Sequence, residues 1–378
     1  MNIRRNRLIR LRHLLDADPG LSVAYDEAKR VVRAFRKPAF YEVATRCNLF
    51  CEGCYYFSDN FTPTKEVQDL AAWERFFAAE GERGVTMAYF VGAEPALEQD
   101  RLHAASQYFP HGNIGTNGTV RIDPAIPYRI GVSVWGVDAE VDASLRGGRT
   151  FGKAIRNYAG DPRAIILYTL TRSNLGDTRK LAEICRDNDL PLTFNMYSPT
   201  QTYLRKLQEG EGNDRSFFRI SNAESNLCWD DESLGEVRSM IPRLMEEYPE
   251  TIVYSEAYND WATRSGPLYD IDPETGVARD CHSRMVGQMR YFRADMEPGD
   301  EKCGTSDAVC SECRMYSGGW SSKFEPRDED LRDAAAFSAW LGMIATLGRI
   351  FLIESPAPAP AFAVNRPDLA SSAPRPTA

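Results

Sequence analysis

Three cysteines stand at a spacing that suits an iron–sulfur cluster or a metal ion. Cys47, Cys51 and Cys54 form a C-x3-C-x2-C pattern. Three thiolates cannot fill a tetrahedral metal site or ligate all four irons of a cubane, so one position stays open for another molecule. Chemistry on a bound ligand would begin at that open position. The alternatives for the triplet are a zinc knuckle or a set of buried thiols.

A second group of cysteines lies far along the chain. Two of them bracket an insertion and a C-x2-C pair closes the group, which comprises Cys281, Cys303, Cys310 and Cys313. Four thiols in this arrangement make a ligand set for an iron–sulfur cluster or for zinc. Cys185 lies in a helical pattern and is interpreted as a core thiol. Three interpretations of Cys228 remain open: a core residue, a redox-labile thiol and a cluster ligand.

The first triplet follows a predicted strand. Residues 39–46 alternate apolar and polar side chains, which indicates a strand whose carboxyl end leads into the cysteine loop. Parallel α/β folds build their active sites at that end of the strands. Further strand-like runs cover residues 85–91, 163–171 and 192–198, and helical patterns cover 70–83 and 175–188.

The cysteine triplet, with Tyr55 directly after Cys54, resembles the signature of the radical S-adenosylmethionine (SAM) superfamily. The resemblance implies that Cys47, Cys51 and Cys54 hold a [4Fe-4S] cluster whose fourth iron binds the amino and carboxylate groups of SAM. One-electron reduction would then cleave SAM to methionine and a 5'-deoxyadenosyl radical. A flavodoxin- or ferredoxin-type protein is the implied electron donor.

The run 85–91 ends in Gly92-Ala93-Glu94-Pro95, which is similar to the family's Gly-Gly-Glu-Pro motif. The resemblance implies that Gly92, Ala93 and Glu94 receive the SAM ammonium through backbone groups and the carboxylate. Ala93 replaces the second glycine of the motif. The extra methyl group is tolerable if the φ angle of Ala93 is negative.

Three more segments follow in the order that the family shows. Residues 113–119 resemble its third strand, residues 130–136 its fourth strand, and residues 142–152 its arginine-containing passage. The implied SAM contacts are Asn117, Ser133 and Arg146. The alternatives are an ordinary Asn-Gly turn, a strand serine that bonds backbone, and a surface ion pair.

These segments predict an α/β fold, a partial (β/α)6 TIM-like barrel of the radical SAM type with a small C-terminal cysteine-rich extension. The barrel is predicted over residues 38–200, after a basic helical segment over 1–37. A connecting or lid region is predicted over 201–280, an auxiliary metal-cluster region over 281–325, a helix over 326–354 and a disordered tail over 355–378.

The predicted cluster region is similar to the Twitch modules of radical SAM enzymes, which implies one further [4Fe-4S] cluster, with zinc as the alternative. No cysteine follows Cys313, so a full SPASM module is excluded. The phrase from Cys310 to Trp320 also has a short likeness to the ending of adenosylhopene-forming radical SAM enzymes.

Composition narrows the functional class. The chain has 378 residues, 43% of them hydrophobic, and a formal net charge of -9. That charge argues against general nucleic-acid binding. The clustered cysteines and the absence of an apolar signal core predict a cytoplasmic protein. Residues 3–15 and 334–353 form helical patterns that either pack on the barrel or lie on the inner membrane surface as a weak peripheral association.

The sequence thus predicts a radical SAM enzyme that activates an unactivated carbon of an unknown substrate, such as a small metabolite, a peptide or an isoprenoid lipid. Hydrogen abstraction and adenosyl addition both remain open, and no catalytic side chain is assigned. The alternative from a different class is a non-catalytic iron–sulfur or zinc-binding scaffold.

Overall fold

A computed structural model describes residues 3–57, 65–210, 220, 224–284, 289–299, 303–305 and 307–353. Its centre is one sheet of seven strands in the order β6-β5-β4-β3-β2-β1-β7, and every neighbouring pair is parallel. The strands are β1 (Pro38–Glu42), β2 (Met87–Val91), β3 (Gly112–Thr116), β4 (Arg129–Val134), β5 (Ala164–Leu170), β6 (Leu192–Met196) and β7 (Arg290–Phe292).

Twelve α-helices accompany the strands in the described part of the chain. They are α1 (Ile3–Ala17), α2 (Pro19–Ala34), α3 (Leu70–Glu82), α4 (Gln99–Ala105), α5 (Ala139–Arg146), α6 (Phe151–Tyr158), α7 (Thr178–Asp187), α8 (Gln201–Glu209), α9 (Asp231–Glu247), α10 (Glu256–Ala262), α11 (Tyr316–Ser321) and α12 (Ala334–Phe351). Asp and Ser residues cap several of them; the Asp230 carboxylate, for example, accepts the Ser233 N–H at the start of α9.

The predicted α/β fold is confirmed, because the strands form one parallel sheet with helices between them. The strand number was wrong: the sheet has seven strands where six were predicted. The additional strand, β7, pairs with β1 through Phe40 and Tyr291 and lies within the predicted cluster region. Three residues are too few to show the periodicity that reveals a strand.

Two of the observed strands end earlier than predicted. Strand β1 ends at Glu42, whereas the alternating pattern extended to residue 46, and β3 ends at Thr116, whereas the family resemblance extended to residue 119. The residues just beyond these ends no longer pair with a neighbouring strand. They are therefore available to line the carboxyl edge of the sheet, where the predicted site residues lie.

The segment over residues 309–316, which contains Cys310 and Cys313, passes the end of strand β6. The backbone N–H of Tyr316 donates to the Asn195 side-chain oxygen at 3.0 Å, and that of Arg314 donates to the Ser198 hydroxyl at 2.8 Å. The N–H of Val309 donates to the Pro199 carbonyl at 3.1 Å. These bonds place the second cysteine group beside the end of β6.

Helix α12 packs against α2 and against the barrel. Its buried side chains are Phe337, Trp340, Leu341, Met343, Ile344, Leu347, Ile350 and Phe351. The Arg129 guanidinium, at the start of β4, donates to the carbonyls of Ile350 at 3.1 Å and Arg349 at 2.7 Å. Within the described residues α12 alone is long and apolar enough to cross a membrane, by length and composition.

Several predicted regions fall partly or wholly on residues that the structure does not describe. The predicted disordered tail over 355–378 lies outside the described residues, as do residues 211–219 and 221–223 of the predicted lid region.

Candidate functional site

The loop that carries Cys47, Cys51 and Cys54 rests on the carboxyl end of α5. The backbone N–H of Phe50 donates to the Arg146 carbonyl at 3.1 Å, and that of Glu52 donates to the Leu145 carbonyl at 2.7 Å. These bonds satisfy carbonyls that a helix end leaves unpaired. The loop is thereby held against α5 at the carboxyl edge of the sheet.

A glycine lets the same loop approach β6. Gly53 has a φ of +57°, and a Cβ placed on it would lie 2.0 Å from the Tyr197 hydroxyl oxygen. That hydroxyl group donates to the Gly53 carbonyl at 3.3 Å. Only glycine therefore fits this contact, which holds the segment between Cys51 and Cys54 close to the end of β6.

The turn after β2 explains how the chain accepts alanine at position 93. Gly92 has a φ of +124°, and a Cβ there would lie 2.5 Å from the Ala44 carbonyl oxygen. Ala93 does not have a positive φ, and its N–H donates to the same carbonyl at 3.0 Å. Gly92 thus adopts the positive φ angle that the turn requires, and Ala93 has an ordinary backbone conformation.

Glu94 is 2% exposed, and its carboxylate joins the ends of two strands. One oxygen accepts from the Thr116 hydroxyl at 2.7 Å and the Ala96 N–H at 3.0 Å, and the other accepts from the Asn117 N–H at 2.7 Å. Burial raises the pKa of Glu94, against these hydrogen bonds and the Arg146 charge. The carboxylate therefore has a structural role in addition to the predicted contact with an ammonium group.

Asn117 connects the end of β3 to the cysteine loop. Its amide nitrogen donates to the Asn48 side-chain oxygen at 2.8 Å and to the Cys47 sulfur at 3.7 Å. Its own oxygen accepts from the Thr119 N–H at 2.9 Å. The Leu49 N–H also donates to the Cys47 sulfur, at 3.4 Å. Donors of this kind stabilise a thiolate that is bound to a metal.

Arg146 is buried at the end of α5, next to β4. Its Nη1 donates to the Ser133 carbonyl at 2.6 Å, and its Nε has no hydrogen-bond partner among the described residues. The Ser133 hydroxyl accepts from the Trp135 indole N–H at 3.2 Å. The buried guanidinium with an unused donor is suited to a carboxylate or another anionic group of a ligand.

The second cysteine group is positioned by a buried arginine. The Arg314 guanidinium donates to the carbonyls of Ala262 at 2.6 Å, Arg264 at 2.9 Å and Gly266 at 3.1 Å. It thereby fixes the C-x2-C pair of Cys310 and Cys313 against the segment after α10. The Cys303 thiol donates to the Thr305 carbonyl at 3.0 Å.

Burial suppresses ionisation of the thiols. It raises the pKa of Cys47 and Cys281 to about 11 and that of Cys54 and Cys303 to about 12. Neighbouring cysteines of the same group raise each of these values further. A bound cation reverses this balance, because metal coordination deprotonates thiols.

One cavity of about 320 Å³ brings the predicted site residues together. All seven cysteines of the two groups line it, and so do Gly92, Ala93, Glu94, Asn117, Ser133 and Arg146. The remaining two cysteines do not line it: Cys185 is fully buried in α7, and Cys228 packs in a small cluster with Tyr197 and Tyr203.

The thiols in this cavity are suitable ligands for an iron–sulfur cluster or for zinc. Within the described part of the chain, no three Cys, His, Asp or Glu side chains are grouped so that they could hold one metal ion. A zinc ion requires its ligands at about 2.0–2.3 Å from one centre, whereas a cubane distributes thiolates over separate irons.

Sequence reasoning missed the aromatic residues of the cavity. Phe40, Tyr89, Tyr291 and Tyr316 line it, although none carries a motif. The alternation of residues along the strands could have indicated them, because inward-facing residues of a barrel strand recur at every second position. Phe40 and Tyr89 stand two residues before the ends of their strands.

Solved structures with a similar fold include Streptococcus suis SuiB bound to S-adenosylmethionine, at 13% identity and a TM-score of 0.48 over 69% of this chain and 59% of SuiB. Native anSMEcpe with bound AdoMet and a Cp18Cys peptide is similar at 14% identity and a TM-score of 0.47, over 82% of this chain and 88% of that one. TYW1 with a lysine-pyruvate adduct has 12% identity and a TM-score of 0.34, over 57% and 76%.

The chain spans about three fifths of the SuiB chain bound to S-adenosylmethionine, since the match covers 59% of that chain. No protein-family model and no curated protein matches the sequence. At these identities and TM-scores the likeness is one of fold alone.

Proposed function

We propose that this protein is a radical SAM enzyme. The observation that carries the proposal is the convergence of the C-x3-C-x2-C loop and the predicted SAM contacts on one cavity at the carboxyl edge of a parallel sheet. A [4Fe-4S] cluster on Cys47, Cys51 and Cys54 would supply the electron that reductively cleaves SAM to methionine and a 5'-deoxyadenosyl radical.

The protein's own residues would bind and orient SAM. Arg146 lines the cavity and its Nε–H makes no hydrogen bond within the described protein, so it would bind the SAM carboxylate. Glu94, which also lines the cavity, would bind the ammonium group. Hydrogen bonds from Asn117 and the Leu49 N–H to the Cys47 sulfur would favour its thiolate. Burial of the site would exclude water from a reactive radical.

We propose further that Cys281, Cys303, Cys310 and Cys313 hold a second [4Fe-4S] cluster. Support comes from the chemistry of four thiols that line one cavity. A reducing cytoplasmic compartment and a flavodoxin- or ferredoxin-type electron donor would follow from such clusters.

The proposal is tested by anaerobic reconstitution, iron analysis and reduction with dithionite in the presence of SAM. We expect about eight irons per chain and formation of 5'-deoxyadenosine. Combined replacement of Cys47, Cys51 and Cys54 by Ala should halve the iron and abolish SAM cleavage. Cys185→Ala is the matched control, because that thiol lies in the core away from the cavity.

Two results would contradict the proposal in different ways. Two intact clusters without any 5'-deoxyadenosine would favour the scaffold alternative. Four irons with one tightly bound zinc would retain the radical SAM assignment and reject the second iron–sulfur cluster.

A further inference from the structure

Residues from the middle of several strands also line the cavity. One register row across β7, β1, β2 and β3 contains Tyr291, Phe40, Tyr89 and Asn113, and all four line the cavity. The rings of Phe40 and Tyr89 stack with centroids 4.5 Å apart, and those of Phe40 and Tyr291 with centroids 6.1 Å apart. These three rings form an aromatic wall.

Beside this wall, two glycines leave space inside the sheet. Gly115 on β3 and Gly131 on β4 are register partners and also line the cavity. A Cβ on Gly115 would meet no atom within 4 Å, and one on Gly131 would meet only the Ile114 carbonyl oxygen at 3.9 Å. Neither glycine has a positive φ angle.

Neither backbone conformation nor protein packing therefore requires glycine at these two positions. Glycine in a strand interior weakens the strand, and it often marks the close approach of a ligand. The space that the pair opens is continuous with the cavity that holds both cysteine groups.

The chemical character of this space is neutral. Three charged side chains line the cavity among the described residues, namely Glu94, Arg146 and Arg284, and none belongs to the aromatic row or the glycine pair. Asn113 is 5% exposed, and its side-chain amide forms no hydrogen bond with another described residue. Because Asn113 lines the cavity, a ligand atom that bonds to this amide would gain affinity.

From this juxtaposition we infer that the space between the aromatic wall and the Gly115–Gly131 pair binds the reacting part of the substrate. That part is uncharged and mainly hydrocarbon or aromatic, with one neutral hydrogen-bonding group directed to Asn113. A charged group would lose hydration there without a counter-charge. The inference rests on the proposed function in so far as it calls this ligand a substrate.

The test is equilibrium dialysis of the reconstituted protein with 2-naphthol, a neutral aromatic alcohol, and with 2-naphthoate, its anionic analogue. We expect one 2-naphthol site per chain and at least tenfold weaker binding of 2-naphthoate. Gly115→Val and Gly131→Val should each weaken 2-naphthol binding at least tenfold, because the new side chain occupies the space. Valine suits a strand, so thermal unfolding should show intact folding.

Two further variants serve as controls. Gly235→Val places the same side chain on exposed α9, where an added Cβ meets nothing within 4 Å, and should not affect binding. Asn113→Ala should weaken 2-naphthol binding by about three- to tenfold and leave naphthalene binding unchanged.

The inference is overturned if 2-naphthol does not bind, if both valine variants bind it normally, or if 2-naphthoate binds equally well. The dialysis is performed with and without SAM. Failure of SAM cleavage rejects the proposed function whatever the dialysis shows, and failure of the dialysis rejects this binding site while leaving SAM cleavage intact.

Discussion

At the scale of single residues, motif spacing identified residues that line one cavity but did not reveal the hydrogen bonds among them. All of the predicted cysteines and SAM contacts line one cavity, since their positions follow from the order of strands and loops. The bonds from Thr116 and Asn117 to the Glu94 carboxylate join residues 22 and 23 positions apart. No local pattern reveals such contacts. The ligand roles of these residues stay predictions.

Glu94→Ala should lower the stability of the protein as well as its SAM affinity. The substitution leaves the buried N–H groups of Ala96 and Asn117 without acceptors, and each loss costs about 1–3 kcal/mol. Urea denaturation without SAM measures the effect. Glu140→Ala, which removes a carboxylate from an exposed ion pair with Arg149, should change stability by less than about 1 kcal/mol. Equal stability of the two variants would show that the Glu94 bonds are weak.

The pair of Asp161 and Arg163 should make stability depend on acid pH. Burial raises the pKa of Asp161, but hydrogen bonds and charge from Arg163, with Arg121 nearby, lower it overall. A carboxylate with a lowered folded pKa stabilises the fold above its unfolded pKa, about 3.9, and loses that contribution as pH falls through the folded pKa.

Asp161→Asn should therefore cost about 3 kcal/mol at pH 7 and progressively less below about pH 4. Denaturant unfolding from pH 7 to pH 3 measures the difference from the unsubstituted protein. Asp187→Asn is the control, because that side chain is 62% exposed in its pair with Arg186. A difference that does not change with pH would mean that Asp161 is not held as a buried anion.

At the scale of elements, the apolar pattern was enough for the long strand β5 and failed for the short strand β7. The apolar segment Ala164–Leu170 is buried almost throughout and was predicted within one residue at each end. Strand β7 has three residues and exists because β1 offers it an edge. Tertiary contact, rather than local preference, thus decides the seventh strand.

The junction of β1 and β2 depends on the backbone of Gly92. Gly92→Ala should destabilise the protein by about 2 kcal/mol or more, because it forces a positive φ on alanine and drives its Cβ toward the Ala44 carbonyl. Ala93→Gly is the matched control and should change stability by less than about 1 kcal/mol. Thermal unfolding compares the two variants. A silent Gly92→Ala would show that the turn can rearrange.

At the scale of the whole molecule, helices α1 and α12 pack on the core that surrounds the sheet. Helix α12 carries buried apolar residues along its length, and Arg129 of β4 holds its end. Helix α1 is attached through Arg7, which pairs with Asp328 at 3.3 Å, and through Leu11, Leu14 and Leu15, which pack on the core. Hydropathy alone does not distinguish a core helix from a membrane helix, so the sequence left both alternatives open.

We expect the full chain to be monodisperse without detergent and not to sediment with anionic vesicles. The large apolar residues of α12 are already buried against protein, so a membrane offers them little further gain. The N-terminal arginines contribute at most about 1 kcal/mol each to attraction by an anionic surface, and salt screens it. Vesicle sedimentation at low and high salt measures both effects. Binding that salt releases, and that deletion of residues 1–15 abolishes, would contradict this expectation. It would place α1, with its exposed Leu8 and Ile9, on the membrane surface.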